Sequence, residues 1–431
     1  MIKEVKINLF DLIISLSTAV DLVSQAVTNH HKEVAYIASS IARELGLSRE
    51  EESELIIAGA LHDMGALSLK ERLETLNFEV EFPHQHAERG YRLIKVFEPL
   101  SKIAYLVRYH HVPWKGGEGS DFKGEPVSLG SHILHLADRV DVLIDKKREI
   151  LGQAKGIVEK IEEFAEKMFM PELVRAFKSV AGREYFWLDA AGSSIDQILS
   201  SRISLSTIEL NLDNLLSLSK LFSQIIDFRS HFTSTHSSGV AVSAEALARF
   251  VGFSEKECQE MKIAGYLHDL GKLAISREIL EKPGKLTPEE FNLIRSHTYY
   301  TYRILEPIAG LEVINSWASF HHERLDGRGY PFHHQGENLS LGSRIMAVAD
   351  VFTALTEDRP YRKGMEGERA LEILQEMAES SALDSNIISL LKVHFKEINS
   401  SRMVSQKASV ENYQKFTQSL ENIEDEATEG I

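Results

Sequence analysis

The chain is 431 residues long, with 43% hydrophobic residues, 26% charged residues and only 10 prolines. This composition is typical of a globular protein of two domains and excludes a disordered chain. The formal net charge of -16 excludes general binding to nucleic-acid polymers, which requires a basic surface. A single cysteine, Cys258, excludes an internal disulfide and fits the reducing cytoplasm, where we expect the protein to reside.

The amino-terminal stretch MIKEVKINLFDLIISLSTAVDLVSQAV predicts an amphipathic helix. Asp11 and Asp21 interrupt its apolar run, so it resembles neither a signal peptide nor a membrane span. We therefore expect no export and no membrane insertion. Beyond this stretch, apolar residues recur at helical spacing, and few windows alternate as strands do. The predicted fold class is therefore all-α, with helical bundles.

The first half contains an ordered series of histidines and aspartates: His31, His62, Asp63, His86, His110, His111 and Asp138. The same order recurs in the second half as His236, His268, Asp269, His297, His321, His322 and Asp350. The steps between successive members are also similar, and the step from His86 to His110 is the same as that from His297 to His321. This repetition predicts an internal duplication, with two tandem bundles of related structure.

Helix-start signals place several of these residues on helices. A serine or threonine N-cap followed three residues later by glutamate predicts a capping box, and three such pairs occur: Ser48 with Glu51, Ser254 with Glu257, and Thr287 with Glu290. The first two helices run towards the His-Asp pairs, and the third carries His297. From these signals and the break at 190–194, we expect a first domain at 1–190, a connector at 191–211, a second domain at 212–400 and a frayed acidic tail at 401–431.

The ligand types in the second half suit a catalytic metal site. A lone histidine is usually structural, but seven ordered imidazole and carboxylate groups without a thiolate favour two ions sharing a bridging carboxylate. Asp269 is the natural bridge. Two ions about 3.5–4 Å apart can hold a hydroxide between them and stabilise both oxygens of a phosphoryl displacement. Lys272, three residues after Asp269, is a candidate for contacting a phosphate oxygen or protonating the leaving group.

The second half resembles the HD-GYP branch of the HD superfamily of metal-dependent phosphohydrolases, over roughly residues 212–400. The motifs that carry the resemblance are THSSGVA at 235–241, HDLGK at 268–272, SHT at 296–298, HHERLDGRGYP at 321–331 and VADVFTALTEDRPYRK at 348–363. The resemblance implies hydrolysis of cyclic di-GMP, to the linear dinucleotide pGpG or onwards to GMP, at two iron or manganese ions.

The resemblance also implies roles for individual residues. One ion would be held by His236, His268 and Asp350, the other by His297, His321 and His322, with Asp269 between them. The phosphates would be contacted by Lys272, Arg359 and Arg362. The loop at 326–331 would shape the pocket through Arg328 and Tyr330, with Tyr330 stacking on a guanine, and in the family this loop can contact diguanylate cyclase (GGDEF) partners.

Two departures from the family pattern qualify these expectations. Some members carry a glutamate four residues before the first histidine that helps to hold a third ion, but Phe232 stands there in this chain, so we predict two ions and not three. In the first half, Ala66 stands where Lys272 does, PWKGGEG at 113–119 replaces the GYP loop, and the arginines are missing. We therefore predict that the first half is a degenerate HD domain. It keeps a metal site within 31–138 but does not hydrolyse cyclic di-GMP, and it acts instead as a regulatory or dimerising module.

Several alternatives stay open at this point. The first half could act on another phosphate ester, because its hydroxide-generating ligands survive. The whole protein could be a cyclic di-GMP receptor without turnover, a general nucleotide phosphohydrolase of the wider HD group, or a helical scaffold. The complete ligand set of the second half favours the enzyme.

Overall fold

The computed structural model describes residues 7–22, 24, 27–80, 83–203, 209–228, 235–282, 284–358 and 363–428. These residues divide into two compact units, one from Asn8 to Glu209 and one from Leu210 onwards together with Ile7. Both units are built from helices, which confirms the all-α tandem prediction. None of the helices in the described part of the chain combines the length and apolar character that a bilayer crossing requires.

The first unit contains eleven α-helices within its described residues. They are α1 (Leu9–Asp21), α2 (His30–Glu44), α3 (Arg49–Leu61), α4 (Leu69–Thr75), α5 (Pro83–Ile94), α6 (Ser101–Arg108), α7 (Leu129–Val142), α8 (Ala154–Glu163), α9 (Pro171–Ala181), α10 (Glu184–Ala190) and α11 (Ile195–Arg202). Helix α2 lies at the centre and packs against α3, α7 and α9. Its residues from His30 to Ala42 are all buried, including the charged ones.

The described part of the second unit repeats this plan. Its helices are α12 (Leu212–Phe228), α13 (His236–Val251), α14 (Glu255–Leu267), α15 (Arg277–Leu280), α16 (Pro288–Leu305), α17 (Glu312–Ser319), α18 (Leu341–Thr356), α19 (Gly367–Glu379), α20 (Ser385–Val393) and α21 (Phe395–Thr428). Here α13 is central and packs against α14, α18 and α21.

Extended and 3-10 segments are short. The strands are β1 (Ile7–Asn8), β2 (Asp121–Phe122), β3 (Glu125–Pro126) and β4 (Glu209–Leu210). Strands β2 and β3 pair antiparallel, with Asp121 opposite Pro126 and Phe122 opposite Glu125. The 3-10 helices are Glu98–Leu100, Lys115–Ser120, Leu270–Ala274 and Gly336–Asn338.

The predicted helix starts are confirmed. The capping boxes of Ser48, Ser254 and Thr287 each have both the side-chain and the backbone hydrogen bond. Each cap satisfies backbone N–H groups that the first turn leaves without partners. The boxes therefore fix where α3, α14 and α16 begin. For α3 and α14 this also places His62 and His268 at the carboxyl ends of the helices.

The same close packing contact occurs within each unit and shows which residues of the two units correspond. A Cβ added to Gly59 would lie 2.6 Å from the Cα of Ala35, and one added to Gly265 would lie 2.4 Å from the Cα of Ala241. Only glycine permits α3 to approach α2, and α14 to approach α13, this closely. Ala35 therefore corresponds to Ala241, and the same shift along the chain relates His62 to His268.

The domain limits differ from expectation at two places. Helix α11, within the expected connector, packs on α2 and belongs to the first unit. The expected frayed tail at 401–431 instead continues as α21 to Thr428, and Ile398, Arg402 and Gln406 are buried along it. Residues four apart lie on one helix face, so this face packs on α13 and orders the segment.

Candidate metal centre

In the second unit, the predicted metal ligands lie at helix ends that meet at one point. His236 begins α13, His268 and Asp269 directly follow α14, and Asp350 lies within α18. His297 lies within α16, and the His321-His322 pair follows α17. The side chains of these residues are buried, except that His322 is partly exposed.

The six outer ligands form two groups of three. His236, His268 and Asp350 form one group and His297, His321 and His322 the other, each with ligand atoms within 4.8 Å of one another. Asp269 lies between the groups, with Oδ2 3.3 Å from the Nε2 of His268 and Oδ1 3.4 Å from the Nε2 of His297. One carboxylate oxygen therefore faces each group, as a bridging ligand requires.

Hydrogen bonds orient three of the imidazoles. The Nδ1 atoms of His268, His297 and His321 lie 2.8, 2.6 and 2.6 Å from the carbonyl oxygen three residues earlier. Because a carbonyl only accepts, Nδ1 carries the hydrogen and the Nε2 lone pair points into the cluster. The Nε2 of His268 is buried without a hydrogen-bond partner among the described residues. A buried orphan acceptor indicates an ion or a water, so the residues fit two divalent metal ions.

The ionisation of the cluster follows from burial and from neighbouring charges. Burial opposes ionisation of Asp269, but His268 and Lys272 hold its pKa well below the usual value; the Lys272 Nζ lies 2.6 Å from Oδ2. Burial lowers the pKa of His297 to about 3, which keeps this imidazole neutral and able to bind a metal. For His236, burial is outweighed by Glu357 and Asp350, which raise its pKa to about 10.

Glu357 and Gln406 are site residues that sequence reasoning missed. Both Glu357 carboxylate oxygens lie 3.1 Å from the Nδ1 of His236, whose Nε2 faces Asp350 at 3.1 Å. The Gln406 side chain of α21 donates to Glu357 at 3.3 Å. A carboxylate behind a ligating histidine fixes its tautomer and orientation. The carboxy-terminal helix therefore contributes to the orientation of a candidate ligand.

The GYP loop lies beside the second group of ligands. Buried Glu323 accepts hydrogen bonds from the backbone N–H groups of Phe332, His333 and His334 at 2.7, 3.1 and 3.1 Å, which fixes the exit of the loop. The Tyr330 ring is centred 5.0 Å from that of His322, whereas Arg328 is exposed. The predicted phosphate contacts Arg359 and Arg362, and Phe232, lie outside the described residues.

The first unit brings together a comparable cluster. Ligand atoms of Asp63, His86, His110 and His111 lie within 4.8 Å of one another. Asp63 Oδ1 lies 3.2 Å from the Nε2 of His86 and 3.7 Å from that of His110. The Nε2 atoms of His62 and His110 and one oxygen each of Asp63 and Asp138 are buried without a hydrogen-bond partner in the described part of the chain. These orphan atoms also fit a metal site.

His31 was predicted as the first ligand of this cluster, but the structure gives that place to His30. The Nε2 of His30 lies 3.9 Å from Asp63 and 3.6 Å from Asp138, and His30 forms a candidate ligand group with His62 and Asp63. The Nδ1 of His31 instead lies 2.5 Å from Asp21. The register set by the glycine contacts matches His30 to His236 and His31 to Ser237, which likewise bonds the counterpart carboxylate, Asp227.

The surroundings of the first cluster differ from those of the second. The Thr75 hydroxyl donates to Asp63 at 2.7 Å, on a carboxylate whose counterpart, Asp269, is paired with Lys272. Arg139, adjacent to Asp138 and fully buried, pairs with it at 2.6 Å. A cavity of about 450 Å³ opens beside His111 and Arg139 and is also lined by His84 and Phe122.

The comparisons with known proteins agree with this duplicated architecture. Two family models, both described as HD domain, match residues 27–143 and 220–387. The chain is 32% identical over 398 residues to the 3′3′-cGAMP-specific phosphodiesterase 1 of Vibrio cholerae, covering 90% of this chain and 92% of that protein. It is similar to the solved structure of a V. cholerae cyclic GMP-AMP specific phosphodiesterase, V-cGAP3, with a TM-score of 0.65, 25% identity and coverage of 91% and 98%.

A further relative matches locally. The chain is 43% identical over 151 residues to a cyclic di-GMP phosphodiesterase of Pseudomonas aeruginosa, which is 34% of this chain and 35% of that protein. Together with the two ligand clusters, these similarities confirm the resemblance on which the sequence interpretation depended. The chain belongs to the HD-GYP family of metal-dependent phosphohydrolases and carries two HD domains in tandem.

Proposed function

We propose that the second unit hydrolyses a 3′–5′ phosphodiester bond of a 3′,3′-cyclic dinucleotide. The observation that carries the proposal is the placing of Asp269 between two three-ligand groups, with Lys272 on the same carboxylate. Such a site combines ligands for two ions with one cationic side chain at the bridging position. Phosphodiester hydrolysis needs both, because negative charge develops on the phosphate oxygens and on the leaving oxygen.

Each side chain then has a defined part. His236, His268 and Asp350 would hold one ion, His297, His321 and His322 the other, and Asp269 both. Two such ions, which the family resemblance implies are iron or manganese, would supply an activated water and neutralise phosphate charge. The Lys272 ammonium would leave its position on Asp269 to bind a non-bridging oxygen or to protonate the leaving 3′ oxygen.

The choice of substrate depends on how much of the chain each relative matches. The two relatives above that span both units are named for 3′3′-cGAMP or cyclic GMP-AMP, whereas the one named for cyclic di-GMP matches about a third of the chain. We therefore propose 3′3′-cGAMP as the preferred substrate and retain cyclic di-GMP, which the GYP motif favours, as the second candidate. The product would be the linear dinucleotide, pGpG in the case of cyclic di-GMP, or the mononucleotides.

The deciding experiment incubates the full-length chain, loaded anaerobically with iron or manganese, with each cyclic dinucleotide and separates the products by chromatography. We expect linear product, faster from 3′3′-cGAMP, and none from Asp269→Ala. The matched control is Asp63→Ala in the first unit, which should retain turnover. Binding without product in both metal forms would contradict the enzyme and leave a receptor. Release of phosphate from nucleoside monophosphates alone would favour a general phosphohydrolase.

We also propose that the first unit holds metal without hydrolysing the cyclic dinucleotide. Its orphan buried atoms support the metal site, and the absence of a lysine at Ala66 removes the cation that Asp269 has. A regulatory or dimerising role, and a contact of the GYP loop with GGDEF proteins, stay predictions. Replacing His62 and Asp63 together with alanine and measuring bound metal tests the site, because unchanged metal stoichiometry would refute it.

A further inference from the structure

Arg295 is a cationic side chain at the edge of the site with no assigned role. It lies on α16, two residues before His297, and its guanidinium lies over the Tyr330 ring, 4.8 Å from the centroid. Phe291 is a second, more distant aromatic neighbour at 6.0 Å. Among the described residues, no hydrogen bond or ion pair occupies this guanidinium. Its planar set of donors is therefore available to a ligand.

The position of Arg295 suits a base better than the reacting phosphate. Its contact at the site is the Tyr330 ring, which is centred 5.0 Å from the ring of His322, whereas Lys272 contacts the bridging Asp269 directly. Asp269 and Lys272, at the centre of the cluster, would meet the phosphate. A group that lies against the aromatic ring beside the cluster would meet what is attached to that phosphate through the ribose, which in a cyclic dinucleotide is the nucleobase.

The first unit supports this placing. His84, which precedes His86 as Arg295 precedes His297, packs on Phe122 with ring centroids 4.7 Å apart. His84 and Phe122 both line the cavity that reaches His111. In the first unit, the residue at the position of Arg295 thus packs on an aromatic ring and forms a wall of the cavity beside the ligand cluster. The Arg295–Tyr330 pair would form the same wall in the second unit.

We propose that Arg295, held over Tyr330, is a specificity-determining residue that reads the guanine edge of the cyclic dinucleotide. A guanidinium donates two parallel hydrogen bonds to guanine O6 and N7, whereas adenine presents a donor at position 6 and is disfavoured. Stacking on Tyr330 restricts the side chain to one orientation and lowers the entropy cost of the contact. The inference rests on the proposed function, and it assigns guanine recognition to this edge of the site.

The test compares three probes that carry two, one and no guanines: cyclic di-GMP, 3′3′-cGAMP and cyclic di-AMP. Their dissociation constants are measured by calorimetry on the full-length chain loaded with manganese, with turnover followed in parallel. Arg295→Ala should weaken binding of the two guanine-containing probes about tenfold or more and leave cyclic di-AMP unchanged. Arg295→Lys should restore little, because an ammonium lacks the paired donors. Arg303→Ala, on the exposed part of the same helix, is the matched control.

Four results would overturn the inference. An equal loss for all three probes would mean that Arg295 binds phosphate or supports the fold, and full rescue by lysine would mean a simple charge contact. No change in any dissociation constant, or no binding of either guanine-containing probe by the unmodified chain, would also overturn it. Failure of the proposed function is separate, because it appears as absent turnover even where the base preference in binding persists.

Discussion

The two units build the same ligand cluster but support it differently. In both, the histidine of the His-Asp pair and the first histidine of the His-His pair donate Nδ1–H to the carbonyl three residues earlier. The first ligand histidine, however, has a different hydrogen-bond partner in each unit. Asp141, one turn beyond Asp138 on α7, contacts the Nδ1 of His30 at 2.5 Å, whereas His236 depends on Glu357 and, through it, on α21. Local geometry preserves the ligands, and distant segments distinguish the units.

The groups around the central aspartate differ in charge. Asp269 has the Lys272 ammonium, and Asp63 has the neutral Thr75 hydroxyl. Asp138 is already paired with the buried Arg139, a residue for which the second unit has Val351. We therefore expect that the cation on the bridging aspartate, and not the metal cluster alone, separates a catalytic unit from a metal-holding one.

Of the substitutions that test this difference between the units, Lys272→Ala should have the largest effect, a loss of turnover. Loss of the cation that stabilises transition-state charge should lower kcat about 10²–10³-fold, with bound metal unchanged because lysine is not a ligand. Steady-state kinetics together with metal analysis measure both quantities. Thr75→Ala in the first unit is the matched control and should leave kcat as it was. A parallel loss of metal in Lys272→Ala would mean that the lysine supports the cluster and not the reaction.

Glu357→Gln should have the next largest effect, on metal affinity. The neutral amide removes the negative charge that faces the Nδ1–H of His236 and leaves a weaker acceptor to orient the ring, and a change at such a partner typically costs about 10- to 100-fold in affinity. Competition with a metal chelator, followed by the metal content of the second unit, measures the loss. Asp141→Asn should weaken the first unit by a similar factor and leave turnover unaffected. If Asp141→Asn also abolished turnover, the two centres would not be independent.

Gln406→Ala should act in the same direction but more weakly. It removes one hydrogen bond to Glu357 and leaves the carboxylate in place, so we expect a loss of metal affinity of several-fold, in keeping with the net value of about 0.5–1.5 kcal/mol for a typical hydrogen bond. Gln414→Ala, an exposed position on the same helix, controls for general effects on α21. Equal behaviour of the two variants would remove α21 from the support of the site.

The smallest effect on turnover is expected from the adjacent histidines of the first unit. His30→Ala should remove metal from this unit because His30 faces Asp63 and Asp138, whereas His31→Ala should retain it because His31 faces Asp21. Metal content in an Asp269→Ala background isolates the first cluster. The reverse order of the two variants would restore the original sequence assignment.

The sequence predicted those parts of the molecule that local signals encode. Adjacent pairs such as His268-Asp269 and the serine caps specify geometry within one or two turns, so their placing was predictable. The choice between His30 and His31 depends on one residue of spacing: the interval from His30 to His62 equals that from His236 to His268, whereas the interval from His31 is one residue shorter. The contact of Gly59 with Ala35 supports His30 independently, because it fixes the same correspondence between the units by packing.

Long-range contacts account for the rest. Glu357 and Gln406 are 49 residues apart and meet only because α21 packs back on α13. The four-residue spacing of Ile398, Arg402 and Gln406 places them on one helix face, which was the available signal. Because two of the three are polar, the pattern does not predict that this face is buried. Arg295 gave no signal, because a single arginine on an amphipathic helix is ordinarily solvated.

The packing of α21 has a practical consequence for anyone who wishes to prepare the second unit alone. A fragment cloned to residue 400, at the boundary that sequence motifs suggest, would end before Arg402 and Gln406 and would expose the face of α13 that they cover. Such a fragment would bind its metals poorly and would be mistaken for an inactive enzyme. An expression boundary at the end of α21 keeps this helix face intact.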